Sequence, residues 1–170
     1  MNDGWPDRLV VRRFTISDAR QVAGWRYAGP WRIYNLTAAD ELPSAADGYM
    51  AVADAADTDR IVGFFCTGSA ARVPDLDEDP DVIDLGVGMD PRWVGGGHGM
   101  HFGNAVLTQL RRDYPATPVR VVVQAWNTRS RRLVRRLGFV ECTEHRCVQH
   151  GRSVAYTVAV LSAAFGIDAD

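Results

Sequence analysis

A chain of 170 residues with 46% hydrophobic content is long enough to bury a core of its own, and we expect a single domain over residues 1–170. The formal charge of −2 supplies no overall basic field, which argues against nucleic acid or an anionic membrane as partner. All nineteen basic residues are Arg, so any side-chain clamp on an anion must be a guanidinium. Cys66, Cys142 and Cys147 are odd in number and form no Cys-x-x-Cys pair, which points to neither a disulfide framework nor a zinc site; we expect no metal. The opening MNDGWPDRLV lacks the pattern of a secretory signal. The apolar-leaning run Val154 to Ile167 is broken by Tyr156, Thr157 and Ser162 and is too short to span a bilayer. A soluble cytoplasmic protein is the expectation.

Leu9 to Phe14 reads as a first strand, followed by a helix capped by Thr15 or Ser17 and running to about Tyr27. Trp25, Tyr27, Trp31 and Tyr34 crowd around the Gly29-Pro30 break. They suit either the edge of the core or an aromatic wall that recognises an organic amine. Thr37 to Gly48 is a loop or short helix, and Tyr49 to Ala53 with Arg60 to Cys66 has the pattern of a hairpin. Ser69 to Asp81, with five acids near its end, reads as an exposed loop without the spacing of a calcium site.

Asp84 to Leu110 is the most informative stretch. A short apolar strand (Asp84 to Met89) breaks at Asp90-Pro91, passes through Gly95-Gly96-Gly97-His98-Gly99 and continues as an amphipathic helix. Such a turn suits phosphate, because glycines let the backbone approach an anion and the first amides of a helix have no intrahelical acceptor. A Walker loop is excluded by the absence of Lys. The Gly-x-Gly-x-x-Gly fingerprint is excluded by spacing, since Met100 stands in its third place after Gly95 and Gly97. His98 and His101 read as a turn residue and a helix-face residue.

Val119 to Gln124 is a clear strand. Asn127 is placed to cap a helix through Leu137 that Gly138 ends, with Ser130, Leu133, Val134 and Leu137 on one face and most of its arginines solvated. Phe139 to His145 and Ser153 to Leu161 read as a final strand pair, with Cys147, His150 and Gly151 in the turn between them. The order of elements predicts an α/β mixed sheet with helices on both faces.

The turn Val94 to Gly99 resembles the R/Q-x-x-G-x-G/A motif of the GCN5-related N-acetyltransferase (GNAT) family, and Asn127 to Phe139 resembles its N-x(10)-G-F motif. The opening LVVRRFTISDARQVAGWR resembles the family's first strand and helix, so the likeness runs from Leu9 to about Leu161. It implies a mostly antiparallel central sheet of about six or seven strands with one parallel, splayed central pair. It also implies transfer of an acetyl group from acetyl-CoA to a primary amine of a small molecule or protein, by direct attack in a ternary complex. Val87 and Met89 would pair with pantetheine. Val94, Gly95, Gly96, Gly97, His98, Gly99 and Met100 would hold the pyrophosphate, and Asn127 would contact the cofactor.

For catalysis, Asp84 occupies the place where many members carry an acidic group that draws off the amine proton. An ordinary Asp titrates near 3.9, so it would need burial or a water relay for that task; fixing a loop or pairing with an Arg is the other role open to it. The tyrosine that often protonates the leaving thiolate is replaced by Val134, leaving Tyr156, Ser130 or water; Val94 likewise departs from Arg/Gln. Trp25, Tyr27, Trp31, Tyr34 and Trp126 are the candidate acceptor wall. A non-catalytic acyl-CoA-binding or regulatory domain is the alternative, with Val134 as its support. Family members are often homodimers, and the sequence leaves that open.

Overall fold

The computed structural model describes residues 4–38 and 40–163. Its strands are β1 (Leu9–Arg13), β2 (Tyr49–Asp54), β3 (Ile61–Thr67), β4 (Ile83–Met89), β5 (Val119–Gln124), β6 (Val140–Gln149) and β7 (Arg152–Leu161). The helices are α1 (Ile16–Ala23), α2 (Gly99–Asp113) and α3 (Thr128–Arg136), with short 3-10 turns at Gly29–Tyr34, Ala45–Asp47 and Gly68–Ala71. The strands form one seven-stranded sheet in the order β1-β2-β3-β4-β5-β7-β6, mostly antiparallel, in which β4 and β5 run parallel. The residues gather into two compact units, described in turn.

The first unit holds Met1–Cys66 and Val87–Val106. Its helix α1 starts where local chemistry demands: Thr15 accepts the Asp18 amide, and the Asp18 carboxylate accepts the Thr15 amide, a reciprocal capping box. Arg12 grips the same carboxylate through Nη1 and Nη2 at 2.6 and 2.9 Å, so β1 and α1 are tied at their junction. Although Asp18 is fully buried, these donors hold its carboxyl below the usual range against the opposing effect of burial. The helix ends at Ala23, not near Tyr27 as its sequence suggested, because the Gly24 amide closes back onto Arg20 and Gln21. Phe14, Ala19, Val22, Ala51, Ala53 and Ile61 form the core, with Trp25, Tyr49 and Phe64 packed against it. Two glycines set a close approach there: a Cβ on Gly63 would overlap Phe102 and the Gly88 carbonyl, and one on Gly88 would overlap the Phe64 ring.

The second unit holds Thr67–Gly86 and Leu107–Asp170. β5 pairs along its whole length with β7, from Val119↔Leu161 to Gln124↔Tyr156. β6 and β7 form a long hairpin closed by His150 (φ 49°) and Gly151 (φ 73°). Two successive positive φ values match the turn twist that antiparallel strands favour. Cys147 therefore lies inside β6, which runs four residues beyond His145 to Gln149, and not in the turn. Cys142 is the unpaired residue of a bulge between Glu141 and Thr143. Asn127 caps α3 by accepting the Ser130 amide, and Gly138 (φ 96°) follows the helix as expected. Arg131 and Arg135 both donate to Glu141, tying α3 to β6.

All three cysteines are free thiols. Among the described residues no helix is long and apolar enough to cross a membrane, and no group of His, Cys, Asp and Glu is arranged to hold a metal ion.

Candidate functional site

The glycine turn is built outward from β4. At its start the Asp90 amide donates to Val62 O, and the buried Asp90 carboxylate accepts the Arg92 amide and both Nε and Nη2 of Arg92, at 2.9, 2.9 and 2.6 Å. The pairing raises the Arg92 guanidinium above its ordinary value, the hydrogen bond to Asp90 being the main cause. The chain then turns through Trp93 N–H to Asp90 O and Gly96 N–H to Trp93 O. Gly95 and Gly97 both take φ 88°, a region in which side-chain-bearing residues are strained, and no atom lies within 4 Å of where their Cβ would be.

What the turn leaves unpaired matters most. The amides of Gly95 and Gly97, and those of Gly99, Met100 and His101 in the first turn of α2, donate to no protein group among the described residues. Gly95, Gly96 and Gly97 are exposed, and the first turn of α2 carries no acidic side chain. Free donors, a positive helix end and open space beside them have the chemistry that an anion-binding cradle requires.

Behind this cradle lies a residue that periodicity and motif spacing did not single out. Trp5, four residues before β1, is 9% exposed and lies flat on the His98 ring, with centroids 4.3 Å apart and planes 7° apart. Its indole N–H donates to His101 Nδ1 at 2.9 Å. Trp93 stands edge-on to both Trp5 and His98, at 5.5 and 5.9 Å, and Arg60 spans the group by donating to Gly4 O at 2.6 Å while its guanidinium lies over the Trp93 ring. His98 and His101 are thus engaged by tryptophan, and the sequence held no local signal for that contact.

Asp84 lies in the second unit, 4% exposed, where β4 pairs with β5 through Ile83↔Val119 and Asp84↔Arg120. Its Oδ1 accepts Arg120 Nε at 2.6 Å and its Oδ2 accepts Arg72 Nη1 at 3.2 Å. Arg120 also donates to Asp77 O, so the acidic loop is fastened to the same point. Both carboxylate oxygens therefore face guanidinium groups.

Further along β4, Val87 is 54% exposed and Met89 is half-buried. Met89 O accepts the Tyr27 hydroxyl at 2.7 Å, and burial followed by the nearby Asp90 charge pushes that phenol well above its ordinary value. Of the other aromatic candidates in this unit, Trp25 stacks on Phe64 at the core edge, while Trp31 and Tyr34 ride on the 3-10 turn, with Tyr34 edge-on to Tyr27. In the second unit Trp126 is 41% exposed and donates to Gln124, Asn127 is buried and spends its side-chain oxygen on the helix cap, and the Tyr156 hydroxyl donates to Gln149 at 2.9 Å. Val134 is half-buried on α3.

The mostly antiparallel sheet with its one parallel pair and the helices define a GNAT-like fold. Residues 8–140 match the acetyltransferase (GNAT) domain family, and the chain belongs to that family. None of the curated proteins compared with the chain matches it. Among solved structures it is similar to a GNAT-family acetyltransferase from Bacillus anthracis, at 14% identity, covering 93% of this chain and 96% of that one with a TM-score of 0.71. It is also similar to yncA from Salmonella typhimurium, solved with acetyl-CoA, at 17% identity, 95% and 98% coverage and a TM-score of 0.61. A third is a chimeric spermidine N-acetyltransferase from Vibrio cholerae and human sequences, at 14% identity, 92% and 96% coverage and a TM-score of 0.63. At these identities the likeness is one of fold.

Proposed function

We propose that the chain is a single acetyltransferase domain that binds acetyl-CoA and transfers its acetyl group to a primary amine of a small molecule or protein. The observation that carries this reading is the set of unpaired amides at Gly95, Gly97, Gly99, Met100 and His101, in a chain whose residues 8–140 match an acetyltransferase family. These donors fit a pyrophosphate, with Val94, Gly96 and His98 completing the loop around it. Val87 and Met89 offer strand backbone to the pantetheine arm, and Asn127, at the entrance to α3, is the further cofactor contact that the motif resemblance suggests. When bound, the cofactor supplies an activated acetyl thioester.

The chain's own part is to align the amine with the carbonyl and to stabilise the developing oxyanion by a β4 amide. Of the two roles open to Asp84, its pairing with Arg72 and Arg120 favours the anchor over the proton acceptor, since both carboxylate oxygens are already engaged by guanidinium groups. Tyr156 remains the candidate acid for the leaving thiolate. Trp31, Tyr34 and Trp126 are the aromatic groups we assign to the acceptor; in the first unit Tyr27 holds the end of β4 and Trp25 packs at the core edge. A cytoplasmic location suits the cofactor.

Calorimetry with CoA tests the reading: saturable binding is expected, and its absence would overturn it. Val134 at the family's tyrosine position favours one other reading, an acyl-CoA-binding domain without chemistry. Thiol release from acetyl-CoA across a panel of polyamines, amino acids and peptides separates the two. Turnover with any amine supports the enzyme, and binding without turnover across the panel supports the sensor.

A further inference from the structure

We propose that Trp5 is a positioning residue for the glycine turn, a strap that sets the pyrophosphate-binding amides through His98 and His101 without touching the cofactor. This rests on the cofactor reading of the turn given above. Trp5 lies outside residues 8–140, the part of the chain that matches the family.

The geometry assigns the role by three contacts. First, the parallel stack of Trp5 on His98 fixes the plane of the imidazole, and the other limit on that ring is the turn itself: a Cβ on Gly96 would sit 3.0 Å from His98 Cδ2 and Nε2. The ring therefore carries the indole on one face and lies close beside the middle glycine, where a side chain would crowd it. Moving the indole frees the ring, and with it the backbone of Gly96 to His98. Second, indole N–H is a donor only, so His101 Nδ1 must present its lone pair to it, which puts the ring proton of neutral His101 on Nε2. Because His101 lies in the first turn of α2, this bond fixes the helix end whose amides form one side of the cradle.

Third, the strap is itself held. Gly4 O accepts Arg60 Nη2 at 2.6 Å, Arg60 pairs with Asp54 at 3.4 Å, and the same guanidinium lies 5.5 Å from the centroid of Trp93, the ring edge-on to both Trp5 and His98. Among the described residues the buried Trp93 indole nitrogen has no hydrogen-bond partner, a cost that the surrounding ring contacts must offset. Glycines at φ 88° have wide conformational freedom in isolation. A cradle made of them binds well only if something else has already removed that freedom, and Trp5 is the side chain placed to do so.

Trp5→Ala and Trp5→Phe, compared with the natural protein, test this. Each is titrated with CoA, with pantetheine (which lacks the pyrophosphate) and with inorganic pyrophosphate, while the amide resonances of Gly95 and Gly97 are followed and thermal unfolding is recorded. The expected result for Trp5→Ala is CoA affinity weaker by about tenfold, pantetheine affinity unchanged, and loss of the pyrophosphate-induced shifts at the two glycines. Trp5→Phe keeps a stacking ring and loses the donor to His101, so CoA is expected to weaken by about threefold.

A purely structural role would lower the unfolding temperature without separating CoA from pantetheine. CoA affinity in Trp5→Ala equal to that of the natural protein, or an equal loss for CoA and pantetheine, overturns the strap and leaves the cofactor reading standing. A natural protein that binds neither CoA nor pyrophosphate overturns both. Should Trp5→Ala fail to fold, Trp5→Phe decides: selective weakening of CoA supports the strap, and unchanged CoA binding removes it.

Discussion

The two ends of the stretch from Asp84 to His101 solve opposite problems. At Asp84 a buried charge is fully answered: one oxygen faces Arg120 and the other faces Arg72. At Gly95 to His101 several backbone donors stand at an exposed surface with nothing to donate to. Unpaired polar groups cost little where water reaches them and become binding energy when an anion replaces the water. A charge already paired in the interior has less left to offer a ligand. Both ends looked like chemistry in the sequence, and only the second has spare hydrogen-bonding capacity.

The largest effect is expected at the glycine turn. Gly97→Glu places a carboxylate where the anion binds and is expected to weaken CoA by at least a hundredfold, roughly 3 kcal/mol. Gly97→Ala is the control: it carries the same φ strain, of about 1 kcal/mol, but its Cβ meets nothing within 4 Å, so calorimetry should retain most of its affinity. Similar losses in the two variants would show that backbone strain, not charge, controls the site.

Asp84→Asn should act on stability. Removing the charge leaves Arg72 and Arg120, whose side chains are 19% and 12% exposed, without their counter-ion, at a cost of about 3 kcal/mol in urea unfolding. Turnover per folded molecule should stay within about threefold, a loss of no more than about 0.7 kcal/mol. A collapse of turnover with unchanged stability would instead return Asp84 to the role of proton acceptor.

Smaller effects follow. Tyr27→Phe deletes the hydroxyl held by Met89 O and should cost about 1 kcal/mol of stability. Glu141, in contact with Arg131 and Arg135, is held at about 2, below its ordinary 4.5. A depressed carboxylate stabilises the fold above its unfolded value and loses that contribution as pH falls through the folded one. The natural protein and Glu141→Gln should therefore differ in urea midpoint at pH 5 and converge toward pH 2. A constant difference across that window would remove the ion pair as its cause.

Legibility in the sequence followed the range of the interactions. The capping of α3 by Asn127 and its stop at Gly138 are local chemistry, and so is the glycine turn; each was readable from a few neighbouring residues. The stop of α1 at Gly24 is equally local, although the sequence suggested a helix running on to about Tyr27. The run of β6 past His145 was not legible because its inward positions are His145, Cys147 and Gln149 while the apolar Val148 faces out, so the alternation in burial is not an alternation in hydropathy. The partners of Asp84 lie 12 and 36 residues away, and Trp5 reaches His101 across 96. No spacing rule predicts such contacts. They decide which candidate charges are occupied and what stiffens the turn.

One consequence of the arginine clamps reaches beyond stability. Asp18, Asp54, Asp84, Asp90 and Glu141 all take guanidinium partners, and the sequence contains no lysine at all. A guanidinium keeps its proton throughout the pH range in which proteins fold and is a poor nucleophile toward a thioester. A protein proposed to concentrate acetyl thioester at its own surface thus offers that reagent no ε-amine to modify, and its ion pairs are chemically inert to the group it would carry.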